Sequence, residues 1–133
     1  MKELVWDRTL SVEVDEIDED HRRLLQLYNL LGHAVEAGEA QAYLDALLEE
    51  LVSCTVWHFS HEERLMLRHG YPGLAEHRQE HRELSDSARE LQQRLRQAGR
   101  PPQQAELEFL EHWLSEHILV ADMQLGAFLA GRI

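Results

Sequence analysis

The sequence predicts an all-α fold, an up-down-up-down four-helix bundle preceded by an N-terminal arm. Apolar residues recur every three or four positions through four long stretches, which is the period of an amphipathic helix. Glycine and proline interrupt that period at three places, and the interruptions are so short that consecutive helices must run antiparallel. Because nothing indicates a repeat or a second domain, we expect one domain over residues 1–133.

The N-terminal arm is expected over residues 1–17 and the bundle over residues 18–130. The first helix is predicted at 18–37, because apolar residues at helical spacing begin just after an acidic segment. Asp18 is the predicted N-cap, since a short carboxylate side chain can accept from the free amides of a first turn. Gly38 is expected to end this helix.

The remaining three helices follow from the same two signals. The second is predicted at 40–69 and ends where Gly70 begins a Gly-Tyr-Pro-Gly turn. The third is predicted at 74–98 and stops at Gly99, which is followed by an arginine and two prolines. The fourth is predicted to fill 103–129, and together these four helices make the expected bundle.

The charge balance limits the class of partner. Aspartate and glutamate outnumber lysine and arginine 25 to 13, giving a formal net charge of −12. Such a chain repels nucleic acid and anionic membranes, so neither is an expected partner. No apolar run has membrane-spanning length, and the first residues lack the apolar core of a signal peptide. With Cys54 as its only cysteine, the chain cannot form an internal disulfide, and we expect a cytoplasmic protein.

Histidine spacing predicts a site for two metal ions. On a helix, side chains four positions apart lie one above the other on one face, as in the pairs His58 with Glu62 and His77 with His81. A third pair, His117 with Asp122, is five apart and therefore roughly 140° apart on an ideal helix. Asp122 would have to reach sideways, or the helix would need a local bulge of the kind seen at functional sites. We interpret Asp122 as a bridge between two metals.

With His21 on the first helix, every helix of the bundle contributes to one interior point. Imidazole-rich ligation with few carboxylates suits iron, zinc, copper or nickel better than magnesium or calcium. Five imidazoles, two bridging carboxylates and one solvent-derived oxo or hydroxo bridge leave roughly one position open on two six-coordinate ions. The open position is large enough for a small diatomic molecule or a small anion.

At these positions the chain resembles the hemerythrins, specifically the single-domain bacterial ones. The similarity extends over nearly the whole chain, in order and with similar spacing, and all seven expected ligand positions are filled. The matching stretches are Ile17-Asp18-Glu19-Asp20-His21, His58-Phe59-Ser60-His61-Glu62-Glu63, Gly70-Tyr71-Pro72 running on to His77 and His81, and Trp113-Leu114-Ser115-Glu116-His117-Ile118 followed by Asp122.

The resemblance implies a role for each candidate ligand. His77, His81 and His117 would saturate one non-haem iron, His21 and His58 would hold a second, and the two carboxylates would bridge them with an oxo or hydroxo group. Hemerythrins bind O2 reversibly at the iron with the open position, so the chain is expected to be an oxygen carrier rather than an enzyme. A dry apolar pocket beside that iron is expected from Leu24, Phe59, Trp113, Leu114 and Ile118. For each of these five residues, a place in the ordinary core is an equally good interpretation.

Several positions depart from the family pattern. Glu13 occupies a position where glycine is frequent, and Leu84 and Leu125 replace usual aromatic residues. None of the three removes a ligand, although the loss of a tyrosine at Leu125 can change a hydrogen bond to the bridging carboxylate. The histidines outside the ligand set are interpreted as surface residues, with His61 the main exception because it shares a turn with His58, and Glu63 is interpreted as a solvated charge.

Other classes of protein stay open. A carboxylate-rich di-iron enzyme would need Glu-x-x-His motifs on two helices, and no histidine here has a glutamate three residues before it. A zinc peptidase is suggested by the His-x-x-Glu-His sequence at 77–81, but it leaves the other five ligand positions without a role. On the resembling site itself, oxygen storage, delivery to an oxygen-consuming enzyme, sensing, and redox, nitric oxide or peroxide handling all remain possible uses.

Overall fold

The structure, a computed structural model, describes residues 3–133 and is a four-helix bundle. The helices are α1 (Asp15–Glu36), α2 (Gln41–His69), α3 (Leu74–Ala98) and a fourth rod. The fourth rod consists of α4 (Gln104–His117), a π-helical segment (Ile118–Asp122) and α5 (Met123–Leu129). Helix α1 packs against α2 and α4, and α3 packs against α2 and α4, so the predicted up-down-up-down bundle is confirmed.

Glycines end the second and the third helix. Gly70 and Gly99 have φ values of 66° and 61°, and their amides donate to the carbonyls of Met66 and Leu95. Glycine reaches this left-handed conformation without the steric penalty that a Cβ imposes, which is why the apolar period stops at these two positions. At the start of the fourth rod, the Gln103 amide donates to Glu106 Oε1 at 2.8 Å.

The first helix begins earlier than predicted, so the assignment of Asp18 as its N-cap was wrong. Helix α1 starts at Asp15, with Val14 at the N-cap, because acidic side chains fill its first turn and suit the positive end of a helix. The Asp18 carboxylate instead accepts from the Val12 amide at 2.8 Å and from Ser11 Oγ at 2.6 Å. It therefore ties the N-terminal arm to the bundle.

The arm covers one end of the bundle. A Cβ at Gly126 in α5 would overlap the carbonyl oxygen of Val12, so the arm lies in close contact with the fourth rod. Between these contacts Glu13 has a φ of 63°, a left-handed conformation that a side chain disfavours. A smaller apolar core forms here, made of Val12, Val14, Ile17, Leu65, Met66, Leu125 and Leu129.

The larger apolar core fills the other end of the bundle and contains Leu24, Phe59 and Trp113. Along α1, His21 lies between Ile17 of the smaller core and Leu24 of the larger one. The polar ligand candidates thus occupy a layer between two apolar regions. No helix within residues 3–133 is long and apolar enough to cross a membrane.

Candidate metal centre

The seven candidate ligands converge in the interior of the bundle. Helix α1 contributes His21, α2 contributes His58 and Glu62, α3 contributes two histidines, and the fourth rod contributes the last two residues. All seven are between 0 and 5% exposed, which is unusual for so many polar side chains in one place. The structure thus brings together His21, His58, Glu62, His77, His81, His117 and Asp122.

The π-helical segment explains how Asp122 reaches this interior. His117 closes α4, and Ile118–Asp122 forms a wider turn before α5 resumes the regular helix. An α-helix would place the two ligand candidates roughly 140° apart, whereas here His117 Nε2 lies 3.0 Å from Asp122 Oδ1. Of the two possibilities that the five-residue spacing left open, the local bulge is the one present, and Leu119 and Val120 on its outer side are exposed.

The donor atoms form two overlapping sets. Glu62 and Asp122 lie with His77, His81 and His117 in one set, and the same two carboxylates lie with His21 and His58 in the other. Sharing of both carboxylates is the arrangement that a pair of bridged metals requires.

Distances between donors fit ligands of a common ion. His21 Nε2 lies 3.1 Å from His58 Nε2, and His81 Nε2 lies 3.2 Å from His117 Nε2. Two nitrogens at right angles on a metal, with bonds of about 2.1 Å, would be about 3.0 Å apart. Imidazole nitrogens that face each other at this distance thus have the spacing of neighbouring metal ligands.

Unpaired polar atoms support the same conclusion. Glu62 Oε2, Asp122 Oδ1 and His77 Nε2 are buried without a hydrogen-bond partner among the described residues. His77 Nε2 lies 3.0 Å from Asp122 Oδ1, but its geometry is not that of a hydrogen bond. Buried polar atoms normally find partners, and a bound cation would satisfy these three atoms. The residues present fit a pair of transition-metal ions.

Two of the candidate histidines are oriented by hydrogen bonds to carboxylates behind them. His58 Nδ1 lies 2.8 Å from Asp20 Oδ2, and His81 Nδ1 lies 3.0 Å from Glu63 Oε2. Glu80 lies 3.3 Å from His117 Nδ1, close enough for an ion pair but without hydrogen-bond geometry. A carboxylate at the far nitrogen fixes the ring orientation and strengthens the imidazole as a donor. The interpretation of Glu63 as a solvated charge was therefore wrong, because it contacts His81 across the α2–α3 interface.

His61 is indeed an exception among the remaining histidines. Its Nδ1 lies 2.5 Å from Asp20 Oδ2 and its Nε2 lies 2.8 Å from Glu16 Oε1. His33 and His112 are exposed, and His69 is half-buried near the end of α2. Sequence spacing offered a usable signal here, since Glu16 and Asp20 are four apart on α1 and therefore share a face.

Opposite charges in the site shift one another's pKa values. Burial alone would lower the pKa of His58, but Glu62, Asp122 and Asp20 raise it to about 10. Burial likewise opposes the charged form of His77, whose pKa the two shared carboxylates raise to about 9, and the pKa of His117 is raised well above its ordinary value by Asp122.

The carboxylates respond in the opposite direction. Burial and the charge of Asp122 would raise the pKa of Glu62, yet the surrounding imidazoles hold it well below the ordinary range. Burial would also raise the pKa of Asp122, and His117, His21 and His58 together lower it strongly. In Asp20, burial is outweighed by hydrogen bonds from His58 and His61, so the pKa of this carboxyl group is lowered. Without metal, protonated imidazoles therefore balance the buried carboxylates.

A small cavity adjoins the centre and is bordered by His21 and His58 of one donor set and by His117 of the other. Its volume is about 10 Å³, which is enough for about one molecule of the size of water. Thr55 also borders the cavity, and its hydroxyl donates to the Leu51 carbonyl at 2.7 Å and needs no water. The five apolar residues expected beside the site all border this cavity: Leu24, Phe59, Trp113, Leu114 and Ile118.

The fold and the site together define a four-helix bundle with a histidine- and carboxylate-lined centre that can hold metal. Residues 12–129 match the hemerythrin HHE cation binding domain, so the chain belongs to the hemerythrin family.

Individual relatives agree with this assignment. The chain is 34% identical over 115 residues to a bacteriohemerythrin from Stenotrophomonas maltophilia (strain R551-3), covering 86% of this chain and 74% of that protein. It is 32% identical over 120 residues to a myohemerythrin from Riftia pachyptila, covering 90% of this chain and 88% of that protein. The crystal structure of a wild-type hemerythrin superimposes with a TM-score of 0.87 at 26% identity, covering 96% of this chain and 98% of that one.

Proposed function

We propose that this chain binds O2 reversibly at a centre of two non-haem iron ions. The observation that carries the proposal is the pair of donor sets that share both Glu62 and Asp122. A cavity for one very small molecule adjoins them and is bordered by both histidines of the smaller set, His21 and His58, and by His117. Two ferrous ions, when bound, supply the two electrons that reversible O2 binding needs. Membership of the hemerythrin family supports the choice of iron.

The proposed ligand roles follow the two donor sets. His77, His81 and His117 would hold one iron, which leaves that ion with three imidazoles and the shared carboxylates. His21 and His58 would hold the other, with one imidazole fewer. The difference of one nitrogen donor supports an open position on the iron beside the cavity.

The protein's own contribution is to position the ligands and to exclude water. Phe59 stacks on the His81 ring, with centroids 3.9 Å apart and planes 9° apart, which restricts the orientation of that ring. Trp113 donates through Nε1 to the Leu84 carbonyl at 3.0 Å, so its indole is fixed beside the cavity. An apolar wall keeps outside water and protons from the bound gas, which favours release of O2 unchanged.

Iron analysis and gas cycling test the proposal. Protein purified from iron-replete cells should hold two irons per chain, and a visible absorption band should appear with O2 and fade when O2 is removed. His58→Ala should lose the reversible band, whereas the exposed His112→Ala should keep it. One zinc per chain without iron would contradict the proposal. Consumption of O2 without its return would instead indicate a di-iron enzyme. The reversibly bound gas would be stored, sensed or passed to an oxygen-consuming enzyme in the cytoplasm.

A further inference from the structure

Asp20 uses a single carboxylate oxygen to contact two histidines. Its Oδ2 lies 2.8 Å from Nδ1 of His58 and 2.5 Å from Nδ1 of His61. His58 is a candidate ligand, whereas His61 lies one turn further along α2 and its nitrogens both face carboxylates. Two N–H groups that donate to one oxygen compete for its charge, so each hydrogen bond is weaker than it would be alone.

His61 is held firmly enough to act in this way. Its Nε2 lies 2.8 Å from Glu16 Oε1, and the ring of Trp57 packs 5.3 Å away between centroids. The side chains of His61 and Asp20 are 14% and 13% exposed, so water screens their contact much less than it screens a surface ion pair. The imidazole is therefore fixed on both sides beside the carboxylate.

The arrangement is peculiar to one half of the centre. On the other half, Glu63 contacts His81 through Oε2 and Arg78 through Oε1, so the two contacts use different oxygens. Among the carboxylates behind candidate ligands in residues 3–133, Asp20 is the one whose ligand-facing oxygen is shared with a second donor. The sharing occurs behind His58, which is one of the three histidines that border the cavity.

We propose that His61 is a positioning residue that sets, through Asp20, how strongly His58 donates to the metal beside the cavity. This inference rests on the proposed di-iron function. A carboxylate at the far nitrogen makes an imidazole a stronger donor, and a stronger donor favours the ferric over the ferrous ion. By drawing on the charge of Asp20, His61 keeps His58 a weaker donor and the iron easier to hold reduced.

The test compares substitutions that must act in opposite directions. His61→Phe leaves the whole charge of Asp20 to His58, so the ferric-to-ferrous ratio at a fixed potential should rise about tenfold, which is ~59 mV for one electron. Asp20→Asn removes the charge and should lower the ratio by a similar factor. The double variant should behave as Asp20→Asn alone, because His61 acts only through Asp20. His112→Phe, at an exposed histidine of α4, is the matched control.

A conservative variant separates tuning from simple loss of packing. His61→Gln keeps an N–H donor near Asp20 and should therefore restore much of the wild-type potential. If the His61→Phe protein does not fold, His61→Leu replaces it and should show the same rise in the ferric-to-ferrous ratio. Potentials that move the same way in the Asp20 and His61 variants would overturn the proposal. A His61→Phe variant indistinguishable from the His112→Phe control would overturn it as well.

A second measurement does not depend on iron. The Nδ1–H proton resonance of His58 is followed by NMR in both zinc-loaded and metal-free protein, where it should move downfield in His61→Phe and upfield in Asp20→Asn. If the wild-type protein takes up no iron while the two variants show these opposite movements, the proposed function is refuted and this inference stands. Normal iron content with an unmoved His58 resonance would refute the inference alone.

Discussion

Loading the metal-free protein with iron should release close to three protons per chain. His58 and His77 have pKa values of about 10 and about 9, and the pKa of His117 is raised well above its ordinary value. At pH 8 a group with a pKa of about 9 is still about nine-tenths protonated. Since a metal binds the unprotonated nitrogen, each of these imidazoles gives up its proton on binding. Glu62 and Asp122 are already ionised, because their pKa values are lowered, and release none.

Two pH dependences of opposite sign follow. A raised imidazole pKa stabilises the metal-free fold fully below about pH 6.5, the unfolded value, and this contribution disappears as the pH rises through about 9 and 10. Displacement of three protons raises the apparent metal association constant by about three orders of magnitude per pH unit. The gap between the melting temperatures of loaded and metal-free protein should therefore widen from about pH 7 to about pH 8.5, and acid should strip the metal.

The assay is an anaerobic titration with ferrous iron in weakly buffered solution containing a pH indicator, with thermal melts of both forms by circular dichroism. His77→Gln should release about one proton fewer than the wild type, and His112→Gln, at an exposed histidine, should release the same number. Release of less than about one proton at pH 7.5, or an affinity that does not change between pH 7 and 8.5, would refute the charge balance described for the site.

Other substitutions test the cavity, the arm and the ligand roles. Leu114→Ala should lower the free energy of unfolding by about 2 to 5 kcal/mol. It should also admit water to the cavity, so oxidised iron should accumulate faster in air at unchanged iron content. A lowered melting temperature with an unchanged rate of oxidation would show that Leu114 contributes only to packing. Glu13→Gly should raise the free energy of unfolding by about 1 kcal/mol, because a φ of 63° is strained for a side chain, and a lower melting temperature in denaturation experiments would contradict this. His117→Ala should lose the iron held by three imidazoles, and His58→Ala should weaken binding of the iron that takes up the gas. Metal analysis and spectroscopy measure iron content and O2 binding. Full iron content and unchanged O2 binding in both variants would show the assignment to be wrong.

The helical period of the apolar residues explains why most of the bundle, and the face that carries the ligands, could be predicted from the sequence. The third helix has the predicted bounds, and the second differs from prediction only at its start, because a glycine in the left-handed conformation ends each of them. The bulge before Asp122 was also predictable, since an interior carboxylate five positions after His117 does not fit a regular helix. Periodicity within one helix supplies all of this information.

Contacts between helices were harder to predict. Glu63 and His81 belong to different helices, and their 3.0 Å contact depends on how α2 and α3 pack. A chain with 25 acidic residues offers many carboxylates at helical spacing, and spacing alone does not show which of them faces a neighbouring imidazole. The start of α1 was missed for a similar reason, because Asp18 finds its partners in the arm rather than in its own first turn.

The π-helical segment makes this part of the fourth rod tolerant of the loss of one residue. Leu119 and Val120 are 48% and 59% exposed, so many side chains can replace them. Deleting either one would place His117 and the aspartate four positions apart on a regular helix, which keeps both side chains on one face. The aspartate would then still face the centre, and Leu125 would still face the small core beneath the arm. A single codon lost elsewhere in the rod would instead turn every following residue by about 100°.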